Sequence, residues 1–98
     1  MENVVIIAKV QIKEPHVSEV FKELSLLHKQ THLHDDGCIQ YDLHKDYNSN
    51  NTYTFVETWE DQSYLDEHEK KEHFIRCIEN IENKLESFEI NKLEQMRI

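Results

Sequence analysis

Histidine is the side chain that gains and loses a proton near neutral pH, its unperturbed pKa being about 6.5, and the chain has seven of them. His68 is the one whose neighbours suggest chemistry. It follows the run Tyr53-Thr54-Phe55-Val56-Glu57-Thr58-Trp59. In a strand, alternate residues share a face, so Tyr53, Phe55, Glu57 and Trp59 stand together with the carboxylate among rings. If that face is inward, burial raises the carboxyl pKa. Glu57 then suits a proton acceptor, or a donor to a substrate oxygen. The plainer alternative is a carboxylate paired with a lysine or capping a backbone group. His68, on the helix after this strand, can meet Trp59 in space. There it could take a proton from a bound group. Its alternative is a half-buried histidine held by hydrogen bonds. Catalytic candidates are therefore His68, Glu57 and Trp59, with Tyr41, Tyr53, Phe55, His73 and Phe74 as pocket candidates. His73 also reads as structural.

Other clusters carry less. His28 and His32 are four residues apart and could share a helix face as metal ligands, with His34 nearby. The helix ends there, however, and no third ligand is placed by the sequence, so a solvated helix end is the better reading and no metal is expected. His68-Glu69-Lys70-Lys71-Glu72-His73 nearly spells a zinc-protease signature, but five residues turn a continuous helix by about 140°, which separates the two rings. Cys38 and Cys77 lack metal-ligand spacing and an activating neighbour, so they read as packing residues, with a disulfide the lesser alternative. Gly37 is the only glycine, which leaves no glycine-rich phosphate loop and no nucleotide chemistry of the common kinds. No cofactor is expected.

The elements that position these residues follow from periodicity. Val4 to Lys13 alternates as a first strand, with Val5 and Ile7 making its second face apolar too. Pro15 opens a helix that carries Val17, Val20, Phe21, Leu24, Leu27 and His28 inward and ends within Thr31 to Gly37. Cys38 to Asp46 is a second strand, with Ile39, Tyr41 and Leu43 on one face. Asn48 to Asn51 makes a loop, and Thr52 to Glu60 is the third strand. Asp61 caps a helix through Leu65 and His68. The apolar stripe changes phase near Glu72, which predicts a break, and resumes at Phe74, Cys77, Ile78, Ile81 and Leu85. Phe88 to Met96 is the last strand. Strand, helix, strand, strand, helix, strand is the split β-α-β plan: a ferredoxin-like α+β antiparallel sheet with helices on one face, strands one and three central. The other sheet face has no cover within the chain, and pairing with a second copy would supply it.

Ninety-eight residues with 38% hydrophobic content make one domain, spanning 1–98, with one core. A formal charge of −9 with 11 basic residues argues against nucleic acid and anionic membranes as partners. No apolar run approaches a membrane span. The start Met1-Glu2-Asn3 carries no secretory pattern, and the cysteine usage suits a reducing cytoplasm.

Three segments together resemble the antibiotic biosynthesis monooxygenase family: Gly37-Cys38-Ile39-Gln40-Tyr41, Phe55-Val56-Glu57-Thr58-Trp59-Glu60-Asp61, and His68 with His73-Phe74. The resemblance covers nearly the whole chain. It implies a dimeric α+β barrel with a pocket between sheet and helices in each subunit. It also implies a monooxygenase that oxidises small electron-rich aromatics, such as hydroquinones, with dioxygen and without metal or organic cofactor. Other members degrade haem or handle a signalling metabolite. Quinone-forming members place an asparagine four residues before the strand-three tryptophan, where this chain has Phe55. The positions that serve haem are here His68 and Ile78, so haem ligation does not carry over. Two further functions stay open: acid–base turnover of a small carbonyl metabolite, as by an isomerase, and non-catalytic binding of a small molecule.

Overall fold

Val4–Ile12 alternates apolar residues over its whole length and forms β1 in a computed structural model that describes residues 2–98. Met1, part of the N-terminal stretch read above, lies outside the described residues. The chain continues through a 3₁₀ turn at Glu14–His16, α1 (Val17–His34), β2 (Cys38–Lys45), β3 (Thr52–Trp59), α2 (Gln62–Lys70), α3 (Glu72–Ile81), a 3₁₀ turn at Glu82–Lys84 and β4 (Leu85–Glu94). The sheet order is β2-β3-β1-β4, antiparallel throughout. This is the expected ferredoxin-like plan, with β1 and β3 in the centre.

One face of the sheet makes the core. Ile6, Ala8, Val10 and Ile12 of β1 join Tyr53, Phe55 and Trp59 of β3, and pack against Val20, Leu24 and Leu27 of α1, Leu65 of α2, and Cys77 and Ile81 of α3. Each large apolar side chain so buried contributes about 1.5–3 kcal/mol. On the other face Val5, Ile7 and Val56 are only half-buried and Leu93 is exposed; no helix among the described residues covers them. No helix among the described residues is long and apolar enough to cross a membrane.

Helix α1 ends at His34, within the expected Thr31 to Gly37 stretch, and Thr31 on its last turn is buried. It ends because Asp35 is extended and Gly37 turns the chain at φ +67°. A Cβ on Gly37 would stand 2.2 Å from the Tyr64 ring, so this position requires glycine for both conformation and space. In β2, Cys38 and Gln40 pair with the consecutive residues Trp59 and Thr58, which makes Ile39 the extra residue of a bulge. Ile39 is therefore exposed rather than sharing Tyr41's face. Leu85, read as the last apolar position of the helix, instead pairs with Ile12 and opens β4. That strand thus starts before Phe88 and ends at Glu94, short of Met96. The break near Glu72 is present as extended Lys71 between α2 and α3, and Asp61 Oδ1 caps α2 by accepting from the Ser63 N–H at 2.9 Å.

Candidate active site

The alternation of β3 places Tyr53, Phe55, Glu57 and Trp59 on the buried face. Glu57 lies opposite Ile6 on one side and Tyr41 on the other, so its carboxyl group sits among apolar and aromatic neighbours. The Trp59 Nε1–H donates to Glu57 Oε1 at 3.0 Å, which fixes one carboxyl oxygen and leaves the other for a ligand. Burial pushes the Glu57 pKa up to about 7, against the smaller stabilising effect of the Trp59 hydrogen bond. Near neutral pH this group can therefore either donate or accept.

His68 comes down from the last turn of α2 and is buried, its ring centroid 4.6 Å from that of Trp59 and 5.0 Å from that of Phe74. Its Nδ1 is 2.5 Å from Asp35 Oδ2, and its Nε2 is 3.4 Å from the Tyr41 hydroxyl. An Nδ1–H that donates to the carboxylate leaves the Nε2 lone pair facing Tyr41. Burial lowers the His68 pKa, outweighing the pull of Asp35, so the ring is neutral and able to accept a proton at pH 7. The same burial, with the Glu57 charge behind it, raises the Tyr41 phenol well above its ordinary value, which keeps Tyr41 a protonated donor.

Asp35 is the residue that sequence reasoning missed. Taken there as turn chemistry, it has a side chain only 1% exposed, and its second oxygen accepts from His73 Nε2 at 2.7 Å. The carboxylate thus clamps two histidines on successive helices. The 140° objection to pairing His68 with His73 assumed one continuous helix; the break at Lys71 resets the phase and brings both rings to the same acid. Asp35, His68 and His73 have donor atoms close enough to hold an ion. As arranged, however, both imidazole N–H groups point at the carboxylate, so the trio is a hydrogen-bond clamp.

His68 and Glu57 open on an apolar chamber between the sheet and the helices, with Tyr41, Phe55, Leu65, Phe74, Cys77 and Phe88 among its walls and a volume of about 50 Å³. Of the pocket candidates, Tyr41, Phe55 and Phe74 line it. Three other candidates do not line it. Trp59 stands behind His68 and Glu57 as a support, because it lies at the end of β3 beneath α2. His73 faces Asp35 and a separate charged groove of about 280 Å³ between α1 and α3, which contains neither Glu57 nor His68. Tyr53 is at the far end of β3, its ring tilted against Phe21 with centroids 5.2 Å apart. Cys38 and Cys77 are both free, and burial pushes their thiols up to about 11 and about 12, so neither is a nucleophile at neutral pH.

Comparison with known proteins bears on the fold and the family. The chain is similar to a solved structure from Pseudomonas aeruginosa (28% identity, TM-score 0.91, covering 99% of this chain and 97% of that one). A conserved protein from Methanosarcina mazei matches at 28% identity and TM-score 0.89, over 98% and 95% of the two chains. A structure described as an antibiotic biosynthesis monooxygenase matches at 25% identity and TM-score 0.85, over 97% and 98%. No curated protein matches the chain. The sequence profile of the antibiotic biosynthesis monooxygenase family matches residues 3–80, a span that includes Asp35, Tyr41, Glu57, His68 and His73, and the chain therefore belongs to that family.

Proposed function

We propose that the protein is a cofactor-independent monooxygenase of a small electron-rich aromatic, quinol-like substrate, acting as a cytoplasmic homodimer. The observation that carries this reading is a buried His68 whose Nδ1 is held by Asp35 while Nε2 faces the Tyr41 hydroxyl at the wall of an apolar chamber that both residues line. In that position Nε2 takes the phenolic proton of the substrate. The phenolate gives one electron to dioxygen, and the resulting radical and superoxide combine to form a carbon–oxygen bond, the peroxide taking back the proton held on His68 to become a hydroperoxide. Loss of water from the hydroperoxide leaves one oxygen atom in the oxidised ring, the substrate having supplied the electrons. Glu57, protonated or ionised near neutral pH, orients the substrate oxygen, and Trp59 fixes Glu57. General-base removal of this kind is worth about 10²–10⁴ in rate.

The chamber, at about 50 Å³, is tighter than the roughly 150 Å³ that holds a benzene ring in an apolar protein cavity. Its walls must part to admit a ring, and the α2–α3 break at Lys71 separates two of the segments that line it. The exposed outer sheet face, with Val5, Ile7, Val56 and Leu93, supports the dimer: a second copy would cover it. Two free cysteines fit a reducing compartment.

A panel of quinols incubated with the protein in air and under argon tests the activity. The reading expects product only in air, with one dioxygen consumed per product. Conversion under argon would favour acid–base turnover by the same residues, and no conversion of any quinol would leave a binding domain. Light scattering tests the assembly: a mass of one chain, 11.9 kDa, would remove the barrel.

A further inference from the structure

A second group of two histidines and one aspartate lies at the surface, apart from the chamber. His28 and His32 are one turn apart on α1, with ring centroids 4.4 Å from each other. Asp42 joins them from the edge strand β2, and one donor atom of each residue lies within 4.8 Å of the others. The expectation of no metal here rested on the lack of a third ligand; the packing of α1 along β2 supplies one. Two outer contacts add to this. The His32 Nε2–H donates to the Tyr41 carbonyl oxygen at 2.7 Å, which holds the ring and leaves the lone pair on Nδ1. Gln40 Nε2 donates to Asp42 Oδ2 at 3.0 Å. Partners of this kind orient the ligands of metal sites and fix the histidine tautomer.

The geometry points to a divalent transition-metal site formed by His28, His32 and Asp42, with zinc as the ion that two imidazoles and a carboxylate suit best and a fourth position left to water. Ligands around tetrahedral zinc stand about 3.4 Å apart for bonds near 2.1 Å. Donors up to 4.8 Å apart reach that spacing by modest rotation of surface side chains. The bound ion ties the C-terminal half of α1 to the open edge of β2, next to Tyr41, and is distinct from the clamp on Asp35.

The test is calorimetric titration of zinc chloride into chelator-treated protein, with cobalt(II) absorption as a spectroscopic check of tetrahedral coordination. The expected result is one ion per chain. His28→Ala and Asp42→Asn should each weaken binding by more than the roughly 10–100-fold that follows loss of an outer-shell partner, while His73→Ala leaves it unchanged. Should His28→Ala fail to fold by circular dichroism, Asp42→Asn alone decides. Absence of zinc binding by the wild-type chain would overturn the site. So would binding that survives in the folded His28 and Asp42 variants and is lost in His73→Ala.

Discussion

Two groups in this small domain have the same composition, two histidines and an aspartate, and opposite characters. At the surface, His28 and His32 sit one turn apart on an unbroken helix, and their rings face each other with Asp42 close by. In the interior, His68 and His73 come from two helices separated at Lys71, and each spends one N–H on the same carboxylate. Burial and phase decide the difference. Where a half-buried and an exposed ring lie in phase on one helix, their donor atoms come within reach of one carboxylate. Where they are buried around an acid, the acid accepts both N–H groups and one ring keeps a nitrogen that faces the Tyr41 hydroxyl at the chamber wall.

The largest expected effect breaks the interior group. Asp35→Ala leaves two imidazole N–H groups without an acceptor, at about 1–3 kcal/mol each, which corresponds to a fall in Tm on the order of 10–20 °C. Thermal unfolding followed by circular dichroism measures it. A loss no greater than that of Asp42→Ala in metal-free buffer would mean the two groups are energetically alike, contrary to the account.

Next comes the turn that delivers Asp35. Gly37→Ala forces a left-handed backbone on alanine and drives its Cβ into Tyr64, at a cost of about 1–3 kcal/mol. Adding Tyr64→Ala should relieve the overlap but not the backbone strain, so recovery should be partial. Full recovery of the urea midpoint in the double variant would show that backbone conformation contributes nothing.

A smaller effect concerns pH. Glu57 has a folded-state pKa of about 7 against an ordinary 4.5, so the folded protein binds more protons between those values. Its contribution to stability therefore falls as pH rises from 4.5 toward 7. His68 works in the opposite direction: its pKa lies below the ordinary 6.5, so stability falls as pH drops below that value. Glu57→Gln should abolish the first slope and leave the second. Denaturation at a series of pH values tests this; an unaltered slope in Glu57→Gln would show that the carboxyl group is not buried as described. The smallest effect is at the surface, where His28→Ala in metal-free buffer should change stability by no more than about 0.5 kcal/mol.

The fold was legible because its signals are local and repeated. Alternation in Val4–Ile12 and Thr52–Trp59, the Asp61 cap and the phase change at Glu72 each point to one element, and together they allow few topologies. Glu57 beside Trp59 followed from strand periodicity, and the approach of His68 to Trp59 from element order. Asp35 was hidden because its role is long-range. Nothing near Asp35-Asp36-Gly37 announces that one carboxylate will be buried 33 and 38 positions away from its partners. Asp42 was hidden for the same reason, since only the packing of α1 on β2 brings it to His28 and His32. The Ile39 bulge escaped notice because the strand reads as perfectly alternating without it. Tyr53 was placed on the correct face, but a face does not say which end of it the chamber occupies.

The central claim is that His68 Nε2, freed by the bond from Nδ1–H to Asp35, is the base that makes a quinol reactive toward dioxygen. Oxygen consumption by the folded His68→Ala variant, beside wild type and with the same quinol, tests it most directly. The account predicts uptake at least ~100-fold slower in the variant, with circular dichroism and assembly unchanged. Equal uptake by a folded His68→Ala protein would contradict it.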